Sequence, residues 1–200
     1  MRRMNQVAED RRLEQGAWLF LTSLTVFFIS CTLLYAIYVM FRIAPLAGEV
    51  QPFYLPRLFI LTTVNMLAIS VLLHMAVEAV QRERRVDLAR YIILAFILGI
   101  VFFLIQGSAL ALMVSEMLHP AALVNNLYGF TFFLVIVHAL HVVGGVAGLT
   151  FILFGLSRGK YDHERYFPIR FCALYWHFLD AVWILMLTSF YIAAYVSKLN

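Results

Sequence analysis

The sequence predicts an all-α polytopic membrane bundle of five transmembrane helices. Three observations carry the prediction. The 200 residues are 64% hydrophobic and only 13% charged, against about 45–50% apolar and about 25% charged in a soluble domain. Five apolar runs each reach the roughly 20 residues needed to cross a bilayer. The basic residues gather in alternate connecting segments. The formal charge of +4 and the pI near 9.2 therefore follow from topology, not from a nucleic-acid surface. Length alone suggests one domain.

The runs are 16–41, 55–80, 90–114, 127–156 and 169–196. They form one domain over 16–197, preceded by an N-terminal segment 1–15. Lipid offers no partner for backbone N–H and C=O, so each run must be helical. A barrel would alternate over segments of about ten residues, and these runs are apolar on nearly every side. The first run extends well past the roughly 7–15 residues of a signal h-region and lacks a small-x-small site, so it reads as a retained helix. Ala44-Pro45-Leu46-Ala47-Gly48 closes it, and Pro52 and Pro56 precede the second. Gln81-Arg82-Glu83-Arg84-Arg85 divides the second from the third, and His119-Pro120 with Asn125-Asn126 divides the third from the fourth. Asn126 is a candidate N-cap. Ser157-Arg158-Gly159-Lys160 ends the fourth. There is no internal repeat or low-complexity segment.

Twelve of the fifteen Lys and Arg residues fall on one side of this arrangement. They are Arg2, Arg3, Arg11 and Arg12; Arg82, Arg84, Arg85 and Arg90; and Arg158, Lys160, Arg165 and Arg170. Arg42, Arg57 and Lys198 take the other side. The positive-inside rule then places the N-terminus in the cytoplasm and the C-terminus outside.

Ionisable residues inside a span cost about 2.5–3.5 kcal/mol each on insertion scales, which makes them candidate functional groups. The candidates are His74 and Glu78 on the second helix, His138 and His141 on the fourth, and His177 and Asp180 on the fifth. Spacings of three or four residues put each pair on one helix face. At about 1.5 Å per residue, His74 lies roughly 9 Å from the cytoplasmic end, His177 about 12 Å, Asp180 about 16 Å and His141 near 22 Å, with His138 nearer the outside. A polar cluster of His74, Glu78, His177 and Asp180, with His141 at its upper edge, is expected. Such a cluster can fix helix packing by hydrogen bonds, buffer or conduct protons, offer a His pair to a haem, or hold a metal.

Helix four carries Gly144, Gly145 and Gly148, of which the first and last form a GxxxG spacing suited to close helix approach. Trp18 and Trp176 fall near the cytoplasmic interface, where amphipathic rings anchor, while Trp183 lies deeper and reads as protein-packed. Arg82, Arg84 and Arg85, with Trp176, are candidate lipid contacts, although topology alone also accounts for the arginines. Cys31 and Cys172 lie in apolar surroundings without CxxC spacing, so they read as small apolar residues. The sequence holds no phosphate-binding glycine loop, nucleophile elbow, HExxH pair or CxxCH haem attachment.

Two segments carry a family resemblance. Tyr128-Gly129-Phe130-Thr131-Phe132-Phe133 followed by His138-Ala139-Leu140-His141-Val142 resembles the Gly-x-Thr-Phe-Phe and His-x-Leu-His-Val pattern of haem–copper oxidase subunit III. Tyr175-Trp176-His177-Phe178-Leu179-Asp180-Ala181-Val182-Trp183 is similar to that family's Tyr-Trp-His-Phe-x-Asp-x-Val-Trp signature. Trp18-Leu19-Phe20-Leu21, Phe27-Phe28, His74 and Gln106 add weaker matches, so the resemblance covers the chain from Gly16 onward. It implies the short five-helix bacterial form, in the bacterial cytoplasmic membrane. The expected partners are the catalytic subunit I, with subunit II in the same complex, and membrane lipids. No nucleic acid is expected.

The resemblance also implies that this chain carries no catalytic residue, haem or copper. Haem and copper belong on partner subunits, and a phospholipid can occupy a cleft between helix groups. The implied role is to stabilise the catalytic subunit and sustain proton uptake. Two positions depart from the family. Leu24 stands where a buried Glu is usual, and Ala109 stands where a second Glu usually follows the helix-three Gln. These departures suggest a divergent branch, with a quinol oxidase or a nitric oxide reductase as the alternative partner. A haem-b membrane anchor and a transporter are readings from other classes.

Overall fold

A computed structural model describes residues 2–46, 53, 55–118, 127–158 and 166–198, without the side chains of 2–11 and 46. The turn residues Ala47, Gly48, Pro52, His119, Pro120, Asn125, Gly159 and Lys160, and the candidate cap Asn126, lie outside the described residues. The described chain is all-helical. Helix α1 spans Arg2–Tyr38, α2 Leu58–Gln81, α3 Arg85–Met117, α4 Leu127–Ser157 and α5 Phe167–Val196. All five are long and apolar enough to cross a membrane. Ends extend past the apolar runs where charged helix formers continue them. Thus α3 starts at Arg85, five residues ahead of the run 90–114, and α1 starts within the segment 1–15.

Helix α1 ends in an irregular stretch, a π-helical turn over Val39–Ile43 and a 3₁₀ turn over Ala44–Leu46. Its inward seam is Leu21, Phe28, Thr32, Tyr35 and Val39. These residues recur at three-, four- and seven-residue steps, so α1 lays one narrow stripe on the bundle. Leu19, Val26, Leu33, Met40 and Phe41 remain exposed, as lipid-facing residues do.

Helices α2 and α3 form a hairpin through Arg82-Glu83-Arg84. Glu83 sits at φ 57°. Its N–H donates to the Val80 carbonyl (3.2 Å) and the Arg84 N–H to the Ala79 carbonyl (2.9 Å). This double closure of a helix end around a left-handed residue is the Schellman arrangement, usually built on glycine.

Lateral packing rests on small residues and a few side-chain bonds between helices. A Cβ on Gly99 would lie 2.9 Å from Val146, and one on Gly145 would lie 3.0 Å from Trp176. The α3–α4 and α4–α5 contacts therefore depend on glycine. Asn65 Nδ2 donates to the Leu98 carbonyl (3.0 Å) between α2 and α3. Trp183 Nε1 donates to Thr63 Oγ1 (2.8 Å) between α5 and α2. The Tyr35 and Thr131 hydroxyls bond at 3.1 Å between α1 and α4. At the basic end, which carries the α2–α3 turn, Arg170 pairs with Glu14 at 3.7 Å and ties α5 to α1.

Candidate functional site

The six ionisable candidates do not form one cluster. They divide among three environments. His74 and Glu78 lie on the outward face of α2, with Nε2 and Oε1 3.7 Å apart and side chains 69% and 50% exposed. Arg82 continues the same ridge, 3.6 Å from the other Glu78 oxygen. His177 of α5 is also exposed.

Asp180 is the exception in this group, because it is buried at 7% exposure. Its partner is Ser70 of α2, whose hydroxyl donates to Oδ2. Oδ1 has no partner among the described residues. The physical reason for the division is angular. Three residues advance a helix by about 300°, so His177 and Asp180 stand about 60° apart. The edge of the α2–α5 seam passes between them.

His138 and His141 occupy the opposite side of α5, against α1. His138 is fully buried, with its ring centroid 5.1 Å from that of Trp183 and 6.2 Å from that of Phe28. Neither ring nitrogen has a partner among the described residues. His141 stacks edge-on against Phe28 at 4.9 Å. Its Nδ1 lies 2.7 Å from the Val137 carbonyl of its own helix. His141 is turned to Phe28 of α1, whereas His177 is exposed beside the α2–α5 seam.

Trp176, expected at the lipid interface, is instead wholly buried. Its indole lies directly over Gly145. The glycine removes the side chain that would hold the ring off α4, so Trp176 packs in protein as Trp183 does. Trp18 is 53% exposed. Among the basic turn residues, Arg84 borders a small polar cavity of about 60 Å³ shared with Glu78, Arg82, Asp87 and Tyr91, and Arg85 opens α3.

A larger cavity, about 430 Å³, lies between α1, α4 and α5 toward the basic end. Phe20, Phe151, Phe171 and Tyr175 form its walls, with Gly144, Gly145 and Gly148 opening its side. The glycines thus serve two purposes. Gly145 receives Trp176, while Gly144 and Gly148 keep the cavity clear. Tyr175 bounds it and donates its hydroxyl to the His141 carbonyl at 2.9 Å. The Arg170–Glu14 pair joins the two helices whose residues Leu13 and Phe171 line the cavity.

The sequence reading missed Ser70, Thr63 and Tyr35. Their hydroxyls gave no distinguishing signal, because most hydroxyls in these helices bond their own backbone, as Thr22, Thr25 and Thr150 do. Cys31 and Cys172 are both free thiols. At the two departing positions, Ala109 is fully buried and Leu24 is a half-buried member of the apolar core. No group of three or more His, Cys, Asp or Glu placed to hold a metal occurs among the described residues.

Comparison with known proteins adds the family. The chain matches the cytochrome c oxidase subunit III family over residues 4–195. It is 29% identical over 145 residues to cytochrome c oxidase subunit 3 of Heterololigo bleekeri, covering 72% of this chain and 52% of that protein. It is 30% identical over 130 residues to a probable cytochrome c oxidase subunit 3 of Mycobacterium bovis, covering 64% and 63%. The corresponding Mycobacterium leprae protein is 27% identical over 192 residues, covering 94% of this chain and 92% of its own. The chain thus spans about half of the first of these relatives and nearly the whole of the last.

Proposed function

The chain belongs to the cytochrome c oxidase subunit III family, and from that premise we propose that it is the noncatalytic third subunit of a haem–copper terminal oxidase in aerobic respiration. It stabilises the catalytic subunit and supports proton uptake. Haem and copper reside on partner subunits I and II, and this chain contributes no redox group. It sits in the bacterial cytoplasmic membrane with its N-terminus inside, the orientation favoured by the distribution of basic residues. The observation that carries the reading is the family match over residues 4–195, on a fold of five helices long enough to span a membrane.

The cavity between α1, α4 and α5 supplies a place for lipid. Its volume lies in the roughly 300–1,000 Å³ range of small-molecule sites. Its walls are aromatic and aliphatic, which suits an acyl chain and not a polar substrate. A phospholipid seated there would keep its headgroup at the basic end, near Arg170. Arg82, Arg84 and Arg85 offer further charge to anionic headgroups.

The test is native mass spectrometry of the complex purified through this chain in mild detergent. A copper-containing haem–copper subunit and a bound phospholipid are expected. A catalytic subunit with non-haem iron in place of copper would move the assignment to nitric oxide reductase. Stoichiometric haem in the partner-free chain would move it to a haem anchor.

A further inference from the structure

The outward face of α2 carries an unbroken ionisable ridge that runs from inside the span to the residue that caps it. His74, Glu78 and Arg82 follow at i, i+4 and i+8, linked by contacts of 3.7 Å and 3.6 Å. His177 joins this ridge from α5, exposed and one turn from Asp180, as His74 is one turn from Asp180's partner Ser70. It makes no hydrogen bond to any described residue. Apolar surface adjoins the ridge, with Val71 and Met75 exposed on α2 and Ile184 on α5. Ala181, one turn beyond His177, is exposed and small.

Two features argue against lipid as the neighbour of this surface. The first is depth. His74 lies seven residues from the end of α2, about 10 Å inside at 1.5 Å per residue. His177 lies ten residues into α5, about 15 Å by the same measure. Lipid tails satisfy no imidazole there, and intramembrane ionisable groups pair with one another or with protein. The second is charge balance. The carboxylate of the strip itself, Glu78, is already engaged by both His74 and Arg82. The neighbouring carboxylate, Asp180, is turned inward to Ser70. The exposed strip is left with an imidazole, His177, whose N–H no described residue accepts.

We propose that the His74–Glu78–His177 strip is the seat of a membrane-spanning helix of the catalytic subunit that presents an acidic side chain to the two imidazoles. Val71, Met75, Ala181 and Ile184 form the apolar part of that seat, and Ala181 leaves room for the approaching helix. The inference rests on the subunit reading above and adds to it the surface and the chemistry of contact.

The experiment uses the complex in native membranes. Met75→Cys and Ala181→Cys leave every ionisable residue of the strip in place. Each, labelled with a maleimide-linked benzophenone that inserts into nearby C–H bonds on irradiation, is expected to cross-link to the catalytic subunit, while Leu104→Cys on α3, 68% exposed, is not. His74→Leu with His177→Leu is expected to lower retention of this chain in the purified complex at least tenfold. His177→Arg is expected to retain it within about twofold, and His177→Glu to lose it as the leucine variant does. These positions are exposed, so the variants fold, which the quantity of chain in the membrane fraction verifies. Cross-links from Leu104→Cys alone, full retention of the double leucine variant, or a nitroxide at Ala181→Cys that reports lipid in the intact complex each overturn the proposal. Failure of a haem–copper subunit to co-purify with the parent chain overturns the functional reading instead. The cross-links to whatever membrane subunit does co-purify then still test the strip.

Discussion

Adding one methyl group at each of three glycines of α4 should have three different effects, in an order set by what faces them. A Cβ at Gly145 would lie 3.0–3.1 Å from three atoms of the Trp176 indole. Trp176 is fully buried, so the ring has nowhere to retreat. Overpacking of this kind costs about 1–3 kcal/mol. Replacing a mid-helix glycine by alanine recovers about 1 kcal/mol of propensity, leaving a net loss of roughly 0–2 kcal/mol for Gly145→Ala. At Gly144 the nearest atom is the Tyr175 hydroxyl at 3.3 Å, which a small ring tilt can relieve, so the two effects nearly cancel. At Gly148 the nearest atom is Cys172 Sγ at an ordinary 3.7 Å, and Gly148→Ala should stabilise by up to about 1 kcal/mol. For a chain of this length 1 kcal/mol moves Tm by about 2–4 °C. Thermal unfolding of the three variants in one detergent, followed by tryptophan fluorescence, reads the order directly. A Gly145→Ala protein more stable than Gly148→Ala would refute the packing argument, since propensity acts equally on both.

Three further outcomes follow from the same geometry. Asp180→Asn keeps an acceptor for Ser70 and should be nearly neutral, whereas Asp180→Leu strands that hydroxyl and should cost about 1–3 kcal/mol. Chemical unfolding compares the two, and equal losses would refute a hydrogen-bonding role. Glu83→Gly fits the left-handed position at the α2–α3 turn, whereas Glu83→Val does not and should be less stable than the glycine variant by roughly 1 kcal/mol; the difference in Tm measures it. Reporter fusions at Asn5 and Asn200 should report opposite sides of the membrane, with Asn5 cytoplasmic, and both ends on one side would mean that the count of spans is wrong.

Helix number and class were legible because a run of about twenty apolar residues leaves few alternatives in lipid. Helix ends were less legible. Arg85 and Asp87 sit inside α3 yet fall outside any apolar run, since hydropathy marks the bilayer and not the helix. The site was legible as residue types and faces but not as contacts. Spacing correctly paired His74 with Glu78. It could not reveal that the seam edge separates His177 from Asp180, because that edge depends on how α5 is rotated against α2. Trp176 failed for the same reason. Its interfacial position suggested lipid, and only the register of α5 on α4 brings it over Gly145. Ser70 carried no mark at all, as one hydroxyl among many.

The position of Gln106 leads to the last prediction. Its side chain is 2% exposed, and neither Oε1 nor Nε2 has a partner among the described residues. The subunit III pattern that this chain resembles usually places a carboxylate three residues further on. Here that residue is Ala109, fully buried, so the family's acidic neighbour is missing one turn from the amide. A buried amide without partners costs about 1–3 kcal/mol from protein mutational data. Replacing such a group by an apolar one of similar shape is neutral or stabilising. Gln106→Met changes volume little and adapts to irregular gaps. It should therefore raise the stability of the isolated chain by up to about 2 kcal/mol, in contrast to the loss at Asp180→Leu. Ala109→Glu offers the amide a neighbour again, and with Glu at 109 the benefit of Gln106→Met should vanish or reverse. The four proteins form a double-mutant cycle read by unfolding in detergent. A loss of 1 kcal/mol or more for Gln106→Met in the parent chain would show that the amide is satisfied there, and the argument from the missing carboxylate would fail with it.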